Sequence, residues 1–521
     1  MKILGSRQSL GLAALLLAAS AFASRLMGLL RDKIISWQFG AGGESDMYFA
    51  AFVIPDIINY LLAGGFMSIT IIPLLAKGFQ TDKDKAWRFF SCVLVWLSVA
   101  SVFLTGMAFI FAESFAKLIA PGFDENSLVR LAFFMRIIVP AQIFFLVGSP
   151  FTALLLLRRQ FTVPSLTPLI YNGFIIVCGL CFPVFFSKIT GMTGYCLGVT
   201  IGAFFGAFLL PFYVCNKDKL HLAPVFRHPW MKRFLFIALP LMLGQTIMML
   251  DEQFLRIFGS QAGEGTVSLL NYARRISQVP VALMGQAIAT ASYPFLVNLL
   301  ANNDIEKFNQ TLNAAIRAAL LLIIPAAIFM IACSTPILTI IFQGGRFGIA
   351  ETLSCSPLTC IMLAATPFWI VYMTIVRGFY AFGDTITPAL TGTVATILCL
   401  PAYQFIASPM GAWAIASLSA VSVSLYVIWL CLIWTRRRGK GAFEGVYSIC
   451  WKMLACSLPP GLAIYFIGDL ISQRFNYTIM GAFLVLALSI PIFSLGLWPM
   501  ARFLMPEFLR TISQRFFRTK G

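Results

Sequence analysis

Charged and amide side chains recur in this chain inside apolar runs that leave them no ordinary place. Ser24-Arg25 and Arg31-Asp32-Lys33 fall in one such run, and Asp46, Asp56 and Asn59 in the next. Gln245, Asp251, Glu252 and Arg256 share a later run, and Asn271, Arg274, Arg275 and Gln278 the one after it. A charge at membrane depth costs about 2.5–3.5 kcal/mol on insertion scales, so such residues face a polar pathway or one another. Arginine stays charged at any physiological pH, and its planar fork matches phosphate oxygens two at a time. Several arginines on wet helix faces suit an anionic, phosphate-bearing ligand.

The spacing sharpens this. At 100° per residue, Arg25 and Asp32 fall on one helix stripe, and Ser24, Gly28 and Arg31 on the next. Asn271, Arg274, Arg275 and Gln278 stand at i, i+3, i+4 and i+7, one polar stripe on an otherwise apolar helix. Glu252 and Arg256 are placed for an i,i+4 ion pair. A structural alternative stays open. Asp32, Asp56, Asp251 and Glu252 would then neutralise the arginines and lock helices together, a reading strongest for Arg256.

The elements that must position these residues are membrane spans. Of 521 residues, 59% are hydrophobic and 11% charged, and runs of about 20 apolar residues recur from end to end. They predict an all-α polytopic membrane protein of about fourteen transmembrane helices. The spans fall near 10–37, 46–76, 87–112, 127–157, 165–186, 191–214, 233–258, 266–298, 310–333, 353–377, 386–407, 412–434, 447–468 and 478–501, numbered 1 to 14 in that order. The formal charge of +18 sits in loop clusters: Lys77, Lys83, Lys85 and Arg88; Arg158 and Arg159; Lys217 to Arg233; Arg436 to Lys440. The tail adds Arg510, Arg515, Arg518 and Lys520. The intervening loops carry Glu44, Glu113, Asp124, Glu125, Glu264 and Asp469. This alternation is a positive-inside signal, it excludes nucleic acid as the partner, and it places both termini in the cytoplasm.

Other chemistry finds little support. The twelve cysteines are scattered mostly through apolar spans with no CxxC pair, and the two histidines, His221 and His228, share one basic loop. No nucleophile–base set, phosphate loop or metal-ligand spacing stands on the spans, so neither an enzyme nor a cofactor is expected. Lys2, Arg7 and Ala21-Phe22-Ala23 mimic a secretory signal. Cleavage there would cut the first span in half, and the expectation is that it is retained.

An internal repeat organises the chain. Gln160 to Pro168 resembles Tyr380 to Pro388 at an offset of about 220, and Asp82 and Lys85 echo Asp304 and Lys307. Six spans separate the copies, so the halves insert in parallel. The expected architecture is two six-helix lobes, 1–220 and 221–440, around a central cavity. Residues 441–521 add two further helices and a basic tail. Gly194, Gly198, Gly202 and Gly206 line one helix face and predict close helix packing.

At these residues the chain resembles the MurJ (MviN) family of lipid II flippases, in the multidrug/oligosaccharidyl-lipid/polysaccharide exporter superfamily. Ser24-Arg25 with Arg31-Asp32, Phe39 to Gly42, Asp46 to Pro55, Phe161 to Pro168 with Asn172, Tyr272-Ala273 with Arg275, and Phe379 to Pro388 carry the likeness. The resemblance implies transport of an undecaprenyl-pyrophosphate-linked peptidoglycan precursor across the bacterial inner membrane. It implies that arginines of spans 1, 2 and 8 bind the headgroup, matched here by Arg25 and Arg31 with Asp32 and by Arg275, and that spans 13 and 14 form a groove for the isoprenoid tail. With the polar residues that share these helices, the candidate headgroup site is Ser24, Arg25, Arg31, Asp32, Asp56, Asn59, Arg274 and Arg275. The chain departs from the family pattern in span 2, where Asn59 and Gly64 replace an arginine and an acid, and at Arg274, which replaces an acid. Coupling to membrane potential or a monovalent cation is compatible with the charges. Two alternatives remain at this stage: a cation-coupled multidrug or other oligosaccharide-lipid exporter using Asp32, Asp56, Asp251 and Glu252, and a non-transporting scaffold that docks cell-wall synthesis enzymes on its basic loops.

Overall fold

A computed structural model describes residues 10–62, 67–186, 190–217, 220–243 and 246–504. Lys2, Arg7, Gly64, Gln245 and the basic residues of the tail lie outside the described residues. The described chain is built from helices. Ten of them are long and apolar enough to cross a membrane, and they coincide with spans 3 to 6 and 9 to 14. The remaining four spans are the ones the sequence loads with polar residues. Span 1 is one helix, Leu10–Phe39. Span 2 is divided into Gly43–Ala50, Val53–Leu61 and Met67–Thr81. Span 7 comprises Trp230–Leu243 and Thr246–Gly259. Span 8 runs through Thr266–Pro280, a π-helical turn at Val281–Gly285, and Gln286–Ala301.

The chain packs into two compact units, Met1–Ser268 and Leu269–Gly521. In the first, Phe89, Phe90, Phe151, Leu154 and Val163 belong to one buried apolar cluster. In the second, Val446–Arg474 packs along Ile305–Ala332, and Ile479–Leu504 packs on Val446–Arg474 and on Ser334–Ile341. Cys333, Ile464 and Phe493 are buried together there, with the Phe329 and Phe493 rings 5.4 Å apart.

The repeat is visible in matching helix starts. Asp82 caps Lys83–Ile110 by accepting from the Lys85 amide at 3.0 Å, and Asp304 caps Ile305–Ala332 by accepting from the Lys307 amide at 3.1 Å. In each, the lysine ammonium returns to the same carboxylate, so one side chain satisfies an orphan amide and holds a cation. The second motif is displaced from its expected register. Helices end at Leu157 and Ala381 and restart at Thr162 and Ile386. Arg159 and Gly383 hold positive φ between them, and Thr167 and Thr391 each donate to the carbonyl four residues back. All of these pair at an offset of 224, so Pro164 matches Pro388. The Thr-Pro pairing used above is one helical turn out of step, because Pro164 and Pro168 are themselves four residues apart.

The glycine stripe packs as expected. A Cβ on Gly194, Gly198 or Gly202 would stand 2.7–2.8 Å from backbone atoms of Cys178, Ile175 or Tyr171 on helix Thr162–Phe185. Only hydrogen at these positions permits such an approach.

Candidate functional site

In the first unit, Arg31 is held by two side chains. Its Nε and Nη2 donate to Asp32 Oδ1 at 3.0 and 2.8 Å, and its Nη1 donates to Asn172 Oδ1 at 3.1 Å. The two side chains are 12% and 2% exposed, so the pair is nearly dry. Asn172 is itself aimed by its amide, which donates to the Pro168 carbonyl at 2.9 Å, one turn back. Arg25 shares a stripe with Asp32, yet Arg25 is exposed and Asp32 buried. Ser24 beside it is half-buried.

A second cluster lies in the same unit. Arg256 donates to Asp56 Oδ2 at 2.7 Å, to Gln253 Oε1 at 3.1 Å and to Glu252 Oε1 at 2.6 Å. The i,i+4 pair read from the sequence is present, and Asp56 joins it from span 2. Asn59 stands one turn beyond Asp56 on Val53–Leu61 and is half-buried.

Asp46 does something that its position at a helix start did not announce. It is fully buried and accepts from the amides of Gly265 at 2.6 Å and Ser268 at 2.7 Å, and from the Ser268 hydroxyl. It thereby caps Thr266–Pro280, the helix that carries the second arginine stripe, by satisfying amides that the first turn of that helix leaves without an intrahelical partner.

In the second unit, Arg274 and Arg275 follow one another on that helix. Tyr272, Ala273, Ile276 and Ser277 are buried, whereas Asn271, Arg274 and Gln278 are half-buried and Arg275 is exposed. This is the polar stripe expected. The Arg274 guanidinium sits 5.9 Å from the centre of the Trp369 ring, within cation–π reach.

The structure thus brings Arg31 to Asp32 and Asp56 to Arg256, and sets Arg274 and Arg275 on a polar helix face. Guanidinium groups so placed have the chemistry to bind and orient anions. Among the described residues no cluster of His, Cys, Asp or Glu has the makings of a metal site.

A family model described as "Lipid II flippase MurJ" matches residues 35–486. The chain belongs to that family. Proteins named "Probable lipid II flippase MurJ" from Rickettsia prowazekii and Borreliella burgdorferi are each 26% identical to it, over 85% and 91% of this chain and 87% and 93% of theirs. A solved structure described as "Lipid II flippase MurJ, inward closed conformation" superposes with a TM-score of 0.76 at 22% identity, covering 94% of this chain and all of that one. A multidrug resistance MATE family transporter of the MOP superfamily superposes at 0.66 and 15% identity, over 80% of this chain and 94% of that one.

For this MurJ family member, the acids on Arg31 and Arg256 are among those that the sequence offers as neutralising partners, whereas two other partners of buried or half-buried arginines are not. Asn172 was noticed only as part of a motif, although an amide on an apolar helix is a usable signal. Glu44, which accepts from Arg130 at 3.0 Å and from the Met192 amide at 2.9 Å, had none, since acids near a helix start are ordinary.

Proposed function

We propose that this protein is a multi-pass inner-membrane transporter, not an enzyme, that flips lipid II from the inner to the outer leaflet by alternating access. The observation that carries the proposal is the state of the arginines in a chain of this family. Arg31 is preorganised by Asp32 and Asn172, and Arg275 is exposed on a polar face. A pyrophosphate offers paired oxygens to such forks. A sugar–peptide headgroup with a pyrophosphate cannot cross hydrocarbon, because each unpaired polar group costs several kcal/mol there. Arginine-bearing faces give it a polar route while the isoprenoid tail stays in lipid. Ser24, Arg25, Asp32, Asp56, Asn59 and Arg274 complete the proposed headgroup site, and spans 13 and 14 the tail groove. The repeat supports lobes at 1–220 and 221–440, followed by 441–521.

An antiporter reading needs carboxylates available to a cation. Asp32, Asp56 and Glu252 instead bind arginine, which favours the anionic substrate. Charge moved during the cycle makes it sensitive to membrane potential, at about 2.3 kcal/mol per charge per 100 mV.

The deciding experiment is reconstitution in vesicles with lipid II and an impermeant headgroup-modifying reagent. Protein-dependent, substrate-specific exposure of headgroup supports flipping. Unchanged exposure, with copurifying cell-wall enzymes, supports the scaffold reading. Cytoplasmic termini require that a cysteine at Asp304 resist an impermeant thiol reagent in intact cells, whereas one at Arg474 reacts.

A further inference from the structure

The first unit holds a cavity of about 840 Å³ lined by residues of spans 2, 3 and 7 and by the segment before span 7. Its walls include Leu61, Val93, Trp96, Ala100, Leu235 and Ala238. Arg227, His228 and Lys232, close together in the chain where span 7 begins, complete the lining. Nothing in the headgroup site touches it.

Hydrogen bonds shape the cavity wall. The Trp96 indole donates to the Phe226 carbonyl at 2.9 Å, and the Ala223 amide donates to the Ser91 hydroxyl at 3.2 Å. These bonds lay the segment before span 7 along span 3. His228 closes the corner, with its ring 5.4 Å from Phe89 and 5.1 Å from Trp230. Its Nδ1 accepts from the Trp230 amide. Burial, and then the Arg88 guanidinium, hold the His228 imidazole below its ordinary value, so Arg227 and Lys232 are the cations of the rim. Both are exposed, and neither forms an ion pair among the described residues.

The mouth is apolar and open. Leu61, Trp96 and Leu235 are each about half exposed at the cavity, and Phe236 beside them is 81% exposed. On a membrane span such surfaces meet acyl chains. The walls offer a polar solute almost no partners, which excludes a sugar or a nucleotide. The occupant must therefore be apolar along most of its length and anionic at one end, where Arg227 and Lys232 stand on the basic side of the membrane.

We infer that this cavity is a binding site for an anionic diacyl phospholipid, with an acyl chain in the pocket and the headgroup phosphate between Arg227 and Lys232. The lipid braces the segment before span 7 against span 3. It is distinct from the transported substrate and independent of the proposed activity.

The test uses the full-length protein in detergent, with melting followed on addition of phosphatidylglycerol or of phosphatidylcholine with the same acyl chains. A ligand that binds only the folded state raises the melting temperature. Phosphatidylglycerol is expected to raise it and phosphatidylcholine not to. R227Q/K232Q, which changes only exposed rim residues, should lose at least half of that shift. Ala100→Trp, which fills the pocket from its wall, should lose as much while both cations remain. An equal shift with phosphatidylcholine, an undiminished shift in either variant, or the same shift with soluble glycerol phosphate would overturn the site.

Discussion

Asp56 and Arg256 are 200 positions apart and meet at 2.7 Å, joining span 2 to span 7. The arginine side chain is only 9% exposed, and Glu252 takes its other nitrogen. Removing one partner of a buried charge pair costs more than the pair contributes, because the remaining charge stays desolvated. Asp56→Asn should therefore destabilise by about 1–3 kcal/mol. In a cycle with Arg256→Gln, the double variant should lose at least about 1 kcal/mol less than the sum of the singles. Thermal melts of the four proteins read this, and strict additivity would refute the coupling.

The arginines of the two stripes should fail in different ways. Arg275 is exposed, so Arg275→Ala should fold and express near the normal level yet abolish flipping. Arg275→Lys should rescue only in part, since a point charge loses the fork. Arg31→Ala leaves Asp32 buried without its guanidinium, which should cost about 3–5 kcal/mol and lower expression as well. Complementation of a depletion strain, with membrane levels measured in parallel, separates the two behaviours.

The repeated caps give a pH dependence with a defined sign. Asp304 lies below the ordinary carboxylate value because the Lys307 ammonium and then its amide bond the ionised form. Asp82 is lowered in the same way by the Lys85 amide and then its ammonium. A carboxylate lowered on folding stabilises the fold above its unfolded value and loses that contribution as pH falls through the folded one. D82A/D304A should therefore melt below the parent at pH 7. The gap should close as pH drops below the ordinary value of 3.8. A gap that persists at low pH would show that charge has no part in it.

Truncation after Glu444 removes span 13, which packs along Ile305–Ala332, and span 14, which packs on span 13 and on Ser334–Ile341. Phe329 and Cys333 then lose Phe493 and Ile464. The shortened protein should melt lower, copurify with less polyprenyl lipid and flip little. Phe493→Ala separates the two roles. If it destabilises but keeps the lipid, and the truncated form also keeps it, the two helices are a brace and the tail lies elsewhere.

Much of this was legible in the sequence because membranes enforce simple rules. Apolar length located the ten spans that the long helices occupy, as at Lys83–Ile110 for 87–112 and Ile386–Ala407 for 386–407. Helical periodicity found the stripe of Asn271, Arg274, Arg275 and Gln278 and the Glu252–Arg256 pair, since both ends lie within two turns. Partners distant in the chain were hidden. Asn172 on Arg31, Asp56 on Arg256 and Asp46 on Ser268 span 141, 200 and 222 positions, and periodicity carries no information at that range. The repeat was found but misregistered, because a Pro-x-x-x-Pro motif matches itself one turn along.

The glycine seam has a mechanical consequence. Gly194, Gly198, Gly202 and Gly206 sit on one helix face every fourth residue, and Thr167, Tyr171, Ile175 and Cys178 are among the residues they face. The two backbones mesh like a rack. A slide of less than one turn, about 5.4 Å, would drive the side chains between the glycines into main chain on the other helix. Spans 5 and 6 therefore travel as a welded pair. Whatever bending a transport cycle demands has to be taken up away from this seam.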